Sequence, residues 1–351
     1  MTEIIKGCPK DEVIGDNLIR AYAKINSPIY KKIICTVSGG YDSDIVVDIC
    51  VKCDRDKKIT YVWFDTGLEY QATKDHLREI EKEYGIKIET RRAKKPIPLA
   101  VKEYGVPFLA KRISENIERL QRHGFKWEDK PFEELLREYP KCRAALRWWC
   151  NDWGEESQFN ISKNKWLKEY MIDNPPDIKI SPKCCIYAKK NVLHDAINEG
   201  DYELNINGMR KAEGGARSTR YSSCFKENEA GADMYMPIWW YKKENKERYK
   251  EHYGVKSSKC YTKYGLKRTG CAGCPFGKEY EEELRVIEEY EPKLKKATER
   301  IFSESYRYTR NYRIYAAFKN GEEKNKNDKG RPGVFRKGNE DSEPDRTSDS
   351  H

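Results

Sequence analysis

The stretch Val37-Ser38-Gly39-Gly40-Tyr41-Asp42-Ser43 decides how this chain is read. Upstream, residues 32–37 form an apolar run of strand length; downstream, residues 43–53 carry apolar side chains at helical spacing. A strand that ends in paired glycines and opens into a helix can turn backbone N–H groups inward. The positive end of the helix dipole adds to them, so such a loop can cradle an anion. Ser38 and Ser43 add hydroxyl donors. No G-x-x-x-x-G-K-S/T pattern occurs, which excludes a Walker-type NTPase. The plainer reading of the same residues is a tight turn at Gly39-Gly40 with Asp42 or Ser43 capping the helix. The loop alone does not choose between the two.

Outward from the loop the rhythm is regular. Residues 11–30 read as a helix with apolar positions at Val13, Leu18, Ala21 and Ile25; residues 60–64 and 86–90 read as strands and 72–84 as an amphipathic helix. Alternating strands and helices predict an α/β fold, a Rossmann-like doubly wound parallel sheet whose ligand crevice lies at the carboxyl ends of the strands. From 91 to 182 the composition turns basic and aromatic at helical spacing, broken by Asn174-Pro175-Pro176, and predicts a helical insertion. A helix is expected at 191–199, strands at 202–207 and 234–238, and two or three helices over 278–318. The organisation expected is therefore 1–90 as the first part of a nucleotide-binding domain, 91–182 as the insertion, and 183–320 as the second part with a helical C-terminal region. Residues 321–351, rich in Gly, Pro, Ser and charge, are expected to be a disordered tail.

The chain has 351 residues, 36% of them charged, with 68 Lys+Arg against 58 Asp+Glu and a net charge of +10. A basic surplus is compatible with phosphate-bearing partners. No apolar signal core opens the sequence and no run approaches the roughly 18 apolar residues of a membrane span, so a cytoplasmic protein without membrane contact is expected. Twelve cysteines in a reducing compartment imply some functional thiolates. Cys8, Cys35, Cys50 and Cys53 read as small buried hydrophobes. Cys184-Cys185, answered by Cys271-Ala-Gly-Cys274, can converge on one soft metal centre. Adjacent cysteines would be strained at one tetrahedral zinc, whereas a 4Fe-4S cubane spreads its irons so that neighbours reach different corners. Cys260 lies eleven residues before Cys271 and is an alternative ligand, a spare thiol or a sulfur relay.

Three motifs together carry a resemblance. Ser38-Gly39-Gly40-x-Asp42-Ser43 in the first strand-to-helix turn resembles the pyrophosphate (PP) loop of the adenine nucleotide alpha hydrolases. Asp65-Thr66-Gly67-Leu68-Glu69-Tyr70 is similar to the phosphoadenosine phosphosulfate (PAPS) reductase branch, as is Gly208-Met209-Arg210 with Glu213, Arg217 and Arg220. Cys184-Cys185-x-x-x-Lys189 with the later C-x-x-C resembles the cluster-bearing adenylylsulfate (APS) reductases. The resemblance covers roughly residues 30–90 and 183–320. It implies a nucleotide site at Ser38, Gly39, Gly40, Asp42, Ser43, Asp65, Thr66, Gly67, Arg210, Glu213 and Arg217. It also implies a 4Fe-4S cluster on Cys184, Cys185, Cys271 and Cys274, with Lys189 between cluster and nucleotide.

Two departures bear on the reaction. A sulfonucleotide reductase uses a mobile C-terminal cysteine, and no cysteine follows Cys274; the arginine that precedes the cluster lysine in the family is Ala188. Keeping loop and cluster without that nucleophile points to the superfamily's other chemistry, cleavage of ATP between its α and β phosphates to activate an acceptor for sulfur transfer. The catalytic candidates are then Asp42, Lys189, Arg210 and Cys260, with Mg2+ expected on Asp42 and Asp65. Reduction of APS or PAPS to sulfite is the second reading. A nucleotide- and redox-sensing regulator that binds nucleic acid is the third.

The insertion supplies a candidate surface for a tRNA or DNA acceptor: Arg91, Arg92, Lys94, Lys95, Lys111, Arg112, Arg119, Arg122 and Lys126. Arg143, Arg147, Trp148, Trp149 and Trp153 are planar groups that could stack on an unpaired base. Tryptophans at helical spacing equally read as core, and Cys142 and Cys150 as candidate thiols. A sulfur donor protein such as a cysteine desulfurase is implied by the resemblance alone.

Overall fold

Residues 7–214, 220–229 and 231–329 of the chain are described by a computed structural model. Helix α1 (Glu12–Ile25) starts at Asp11, whose carboxylate accepts the Val13 and Ile14 N–H groups, and it buries Ile14, Leu18, Ala21 and Ile25. The chain enters β1 (Ile33–Thr36), passes the glycine loop and continues as α2 (Tyr41–Cys53). Then come β2 (Ile59–Asp65), α3 (Gln71–Tyr84) and β3 (Ile88–Arg92). The insertion contributes α4 (Ile97–Tyr104), α5 (Lys111–Arg122), α6 (Phe132–Glu138), α7 (Arg143–Trp149) and α8 (Leu167–Asp173). A short α9 (Lys183–Cys185) runs through a π-helical turn, Ile186–Lys190, into α10 (Asn191–Gly200).

The remaining strands are β4 (Leu204–Ile206), β5 (Phe225–Lys226) and β6 (Asp233–Tyr235). They are followed by α11 (Lys243–Tyr253), α12 (Lys259–Thr262), α13 (Tyr280–Tyr290) and α14 (Pro292–Lys329).

The sheet order is β3-β2-β1-β4-β6-β5, parallel except for the edge strand β5. The chain therefore winds outward on one side of β1 and then returns to lay β4 against its other side. The strand order reverses beside β1, and in open parallel sheets that reversal opens a crevice at the strand's carboxyl end. The glycine loop sits at that end.

Two large cores and a small cluster of Ile34, Val62 and Ala196 hold the described residues together. The first joins the sheet to α1, α2 and α11 through Ile33, Ile45, Ile49, Leu204, Ile206 and Tyr249. The second is helical, and it unites Phe108, Trp148 and Trp149 of the insertion with Leu68, Cys184, Cys260, Phe302 and Tyr306. Trp148 and Trp149 are enclosed in this second core, so the stacking role suggested for them is corrected: apolar packing outcompetes exposure for two such large rings. Helix α14 continues past Asn320 to Lys329, into the expected tail, and the rest of that tail lies outside the described residues. The edge strand β5 and helix α11 were not anticipated. The first has only two residues, and the second is so charged that its apolar face is weak.

Candidate nucleotide and cluster site

Gly39 takes φ +64°, and a Cβ there would stand 2.9 Å from the Thr73 methyl, so only glycine fits this corner. The turn is braced by hydroxyls. Ser38 N–H donates to Ser43 Oγ (2.9 Å), Gly40 N–H to Ser38 Oγ (3.3 Å) and Tyr41 N–H to the Tyr261 hydroxyl (3.2 Å), which itself meets Thr269 Oγ1 at 2.9 Å. Ser43 thus stabilises the loop from the first turn of α2.

Asp42, on the same turn, is gripped from two directions. Arg210 Nε donates to its Oδ2 at 2.7 Å and Lys246 Nζ to its Oδ1 at 2.6 Å. All three side chains are largely shielded, which strengthens charge-assisted contacts. Arg210 is itself held by the Tyr241 carbonyl (3.2 Å). A second charged group lies behind the loop: Asp44 contacts His76 Nε2 (3.0 Å) and Lys250 Nζ (3.2 Å), all three buried. Lys250 also lies 3.9 Å from the centre of the Tyr41 ring. Burial pulls its ammonium below the usual lysine value, against the opposing pull of Asp44.

The loop after β2 forms the other wall. Asp65 accepts the Gly67 N–H (2.9 Å), with Arg92 at 3.9 Å. Thr66 donates to Glu69 (2.6 Å) and lies 3.7 Å from the Cys271 sulfur. Ala272 N–H donates to the Leu68 carbonyl (3.0 Å), so the C-x-x-C turn is tied directly to the nucleotide-side loop.

The four cysteines gather here. Cys184 feels the charges of Cys185, Cys274 and Cys271, and its hydrogen bond to Cys185 together with burial pushes its thiol far up. Burial pushes Cys274 up to about 12 and raises Cys271 as well. Cys185 goes the other way, lowered to about 6 by the Cys184 hydrogen bond and by the nearby Lys111 and Lys189. Lys189 lies beside Cys271 and Glu69, and the Cys271 sulfur holds its ammonium above the ordinary value in spite of burial. The π turn that carries Lys189 follows Cys185 directly, and such turns recur at functional sites. Among the described residues, no group of three or more His, Cys, Asp or Glu side chains is arranged to hold a metal ion.

Several expected residues fall elsewhere. Cys260 is fully buried on α12 with Thr73 Oγ1 at 3.6 Å, and burial raises its thiol, the setting of a packing residue. Glu213 lies in a short turn, Lys211–Glu213, directly after Arg210. Arg217 lies outside the described residues. Lys111, grouped by sequence with the insertion's cations, turns to Cys185 instead. Lys246, Lys250, Tyr261 and Thr269 were missed. Lysines four apart on one helix, as at 246 and 250, were the available signal, but in a chain this charged the spacing is commonplace.

The fold and site define an α/β protein with a doubly wound, mostly parallel sheet and a serine-glycine loop at its switch point. Within that class, the phosphoadenosine phosphosulfate reductase domain matches residues 32–276, more than half of the chain, and the chain belongs to that family. An uncharacterized protein of Methanocaldococcus jannaschii is 37% identical over 86 residues; the match spans 24% of this chain and 17% of that relative's length. Among solved structures, the PAPS reductase of Candida auris in its phosphate complex is similar at 12% identity and TM-score 0.39, over 75% of this chain and 96% of that one. The U34-tRNA thiolase NcsA of Methanococcus maripaludis, solved with its 4Fe-4S cluster, is similar at 13% identity and TM-score 0.36, over 88% of this chain and 81% of that one. No helix among the described residues is long and apolar enough to cross a membrane.

Proposed function

We propose that this chain binds ATP at the Ser38–Ser43 loop and cleaves it between the α and β phosphates, activating an acceptor for sulfur transfer. The observation that carries the reading is the convergence of Arg210 and Lys246 on Asp42 in the first turn after the loop. Two shielded cations beside the loop suit the charge that grows on departing pyrophosphate. In the proposed step an acceptor oxygen attacks the α phosphorus, and the bridging bond to the β phosphate breaks with its electron pair going to pyrophosphate. A sulfide-level sulfur nucleophile then attacks the adenylated carbon, and the C–O bond to the phosphate breaks with its electron pair leaving on AMP. Asp42 also stands where it can trade a lysine for magnesium, with Asp65 as the second carboxylate of the proposal.

Cys184, Cys185, Cys271 and Cys274 suit a 4Fe-4S cluster by their chemistry. Cys184, Cys185 and Cys271 pack in one apolar core and Cys274 feels the charges of Cys271 and Cys185, with Lys111 and Lys189 to offset the negative charge of thiolate ligation. Bound there, a cluster would supply electron transfer or, at an iron left open, a place for sulfide. Thr66 and the Ala272–Leu68 contact would hold it in register with the nucleotide. Cys260 has a packing part in this reading.

Pyrophosphate release from magnesium ATP by anaerobically purified protein tests the proposal, with APS and PAPS assayed alongside for sulfite. AMP and pyrophosphate support it. Sulfite in place of pyrophosphate restores the reductase. Nucleic-acid binding with neither product, at any acceptor supplied, favours the regulator.

A further inference from the structure

A groove of about 980 Å³ lies between α4, residues 177–179 and α14. Its floor is apolar, with Val101, Val106 and Ile301. Four cations line it from three sides: Lys102 from α4, Lys179 from the connecting segment, and Lys296 and Arg300 four apart on α14. None of the four has a carboxylate partner among the described residues. Of the two carboxylates in the lining, Asp177 is taken by Arg307 (3.0 Å), which leaves Glu304 against four cations.

Several of the cations expected from sequence to meet nucleic acid are paired elsewhere, although Arg119 and Lys126 are not among them. Arg91 pairs with Glu199 (2.7 Å), Lys94 with Asp195 (2.9 Å), Lys95 with Glu103 (2.7 Å) and Arg122 with Glu118 (3.1 Å). Arg112 lies 3.5 Å from the centre of the Phe159 ring. An exposed pair is weak, but it must still be given up before its cation meets phosphate, so unpaired cations start at an advantage in polyanion binding.

Position adds a second argument. Pro98 belongs to the groove, and its ring packs on the turn after β2: a Cβ at Gly67 would stand 3.6 Å from Pro98 Cδ. Pro98 thus joins the lining of the groove to the turn after β2.

We propose that this groove takes the sugar–phosphate backbone of a nucleic-acid strand whose reacting nucleotide is delivered to the phosphate loop. The inference rests on the reading that the loop activates an acceptor, and it names the class of that acceptor. The cations contact phosphates and the apolar floor takes sugar faces, and because contacts to phosphate and sugar read no base, binding should depend little on sequence.

The test is fluorescence anisotropy with a fluorescein-labelled 20-nucleotide RNA and the DNA of the same sequence, using the full chain between 50 and 300 mM salt. The exposed pairs Lys296→Glu/Arg300→Glu and Lys102→Glu/Lys179→Glu are compared with Arg122→Glu/Lys126→Glu, each variant's fold being checked by its thermal melt. Each groove pair is expected to weaken binding about tenfold or more and to flatten the salt slope by roughly 1.4, two single-strand phosphate contacts. The Arg122/Lys126 pair should change little. Tighter RNA than DNA, or the reverse, supports the proposal and names the strand. Unchanged binding in both groove pairs, an equal loss in the Arg122/Lys126 pair, or displacement of both strands by polyglutamate of matched charge would overturn it, the last in favour of an acidic protein. Pyrophosphate release is read on the same preparations. Groove-dependent binding without ATP cleavage defeats the adenylation reading alone, and ATP cleavage with groove-independent binding defeats this one alone.

Discussion

Asp42 and Lys246 meet at 2.6 Å although 204 positions separate them, and the contact fastens α11 to the first turn of the helix behind the phosphate loop. With Arg210 on its other oxygen, Asp42 organises two cations that are independent in sequence. Lys246→Ala is expected to lower ATP affinity by tenfold or more, given about 1.5–3 kcal/mol for a hydrogen bond to a charged group. Lys246→Arg should recover most of it. Calorimetric titration with ATP decides, and an unaltered dissociation constant would remove Lys246 from the phosphate site.

Cys185 is set apart from its neighbours by its acidity. With its thiol lowered to about 6 by Cys184, Lys111 and Lys189, it is largely thiolate at neutral pH, while Cys274 at about 12 remains protonated. In metal-free protein, iodoacetamide should therefore alkylate Cys185 first, with a rate that rises through pH 6. Lys111→Ala should move that rise to higher pH. Peptide mass spectrometry over a pH series reads the order, and simultaneous labelling of Cys274 would contradict it.

The cluster assignment has its own optical test. Cys271→Ser with Cys274→Ser should remove the visible absorbance of anaerobically reconstituted protein, whereas Cys260→Ser should preserve it. A spectrum lost only in the Cys260 variant would transfer the ligand role.

Glu283, on α13, has its carboxyl raised to about 7, first by burial and then by Glu279. The folded state then holds a proton that the unfolded chain releases near its ordinary value of 4.5. This contribution to stability is complete below pH 4.5 and is lost as pH rises to about 7. Allowing for partial exposure, the loss is about 2 kcal/mol. Glu283→Gln should flatten the decline in melting temperature between pH 5 and 7.5; an identical decline in the variant would show that the carboxyl titrates normally.

Gly273 takes φ +59°, and a Cβ there would stand 2.8 Å from the Tyr306 hydroxyl, which donates to the Gly273 carbonyl. Gly273→Ala combines backbone strain with a clash in the helical core and should cost roughly 1–3 kcal/mol. Denaturant melts measure the cost. Tyr306→Phe with Gly273→Ala should recover part of it by giving the new methyl room.

Much of the fold was legible because its signals are local. The apolar spacing around the glycine loop marked β1 and α2 to within two residues, and the spacing from Val13 to Ile25 marked α1, which ends at Ile25 and not at the expected residue 30. Strand β3 began two residues later than expected, since its register follows β2 and not its own short apolar run. Tryptophan spacing in the insertion was compatible with a core or a surface, and only the enclosure of Trp148 and Trp149 chose the core.

By itself the sequence determined the glycine loop, the alternation of strands and helices and the two cysteine pairs, because each is written in residues a few positions apart. The tertiary structure alone decided which charges are spent and which are free. It set Lys246 on Asp42, turned Lys111 toward Cys185, neutralised Arg91, Lys94 and Lys95, and left Lys102, Lys179, Lys296 and Arg300 around one groove. The physical reason is range: backbone propensity acts over one or two turns, whereas a charge is paired by whatever the packed core brings within a few ångströms, at any distance along the chain.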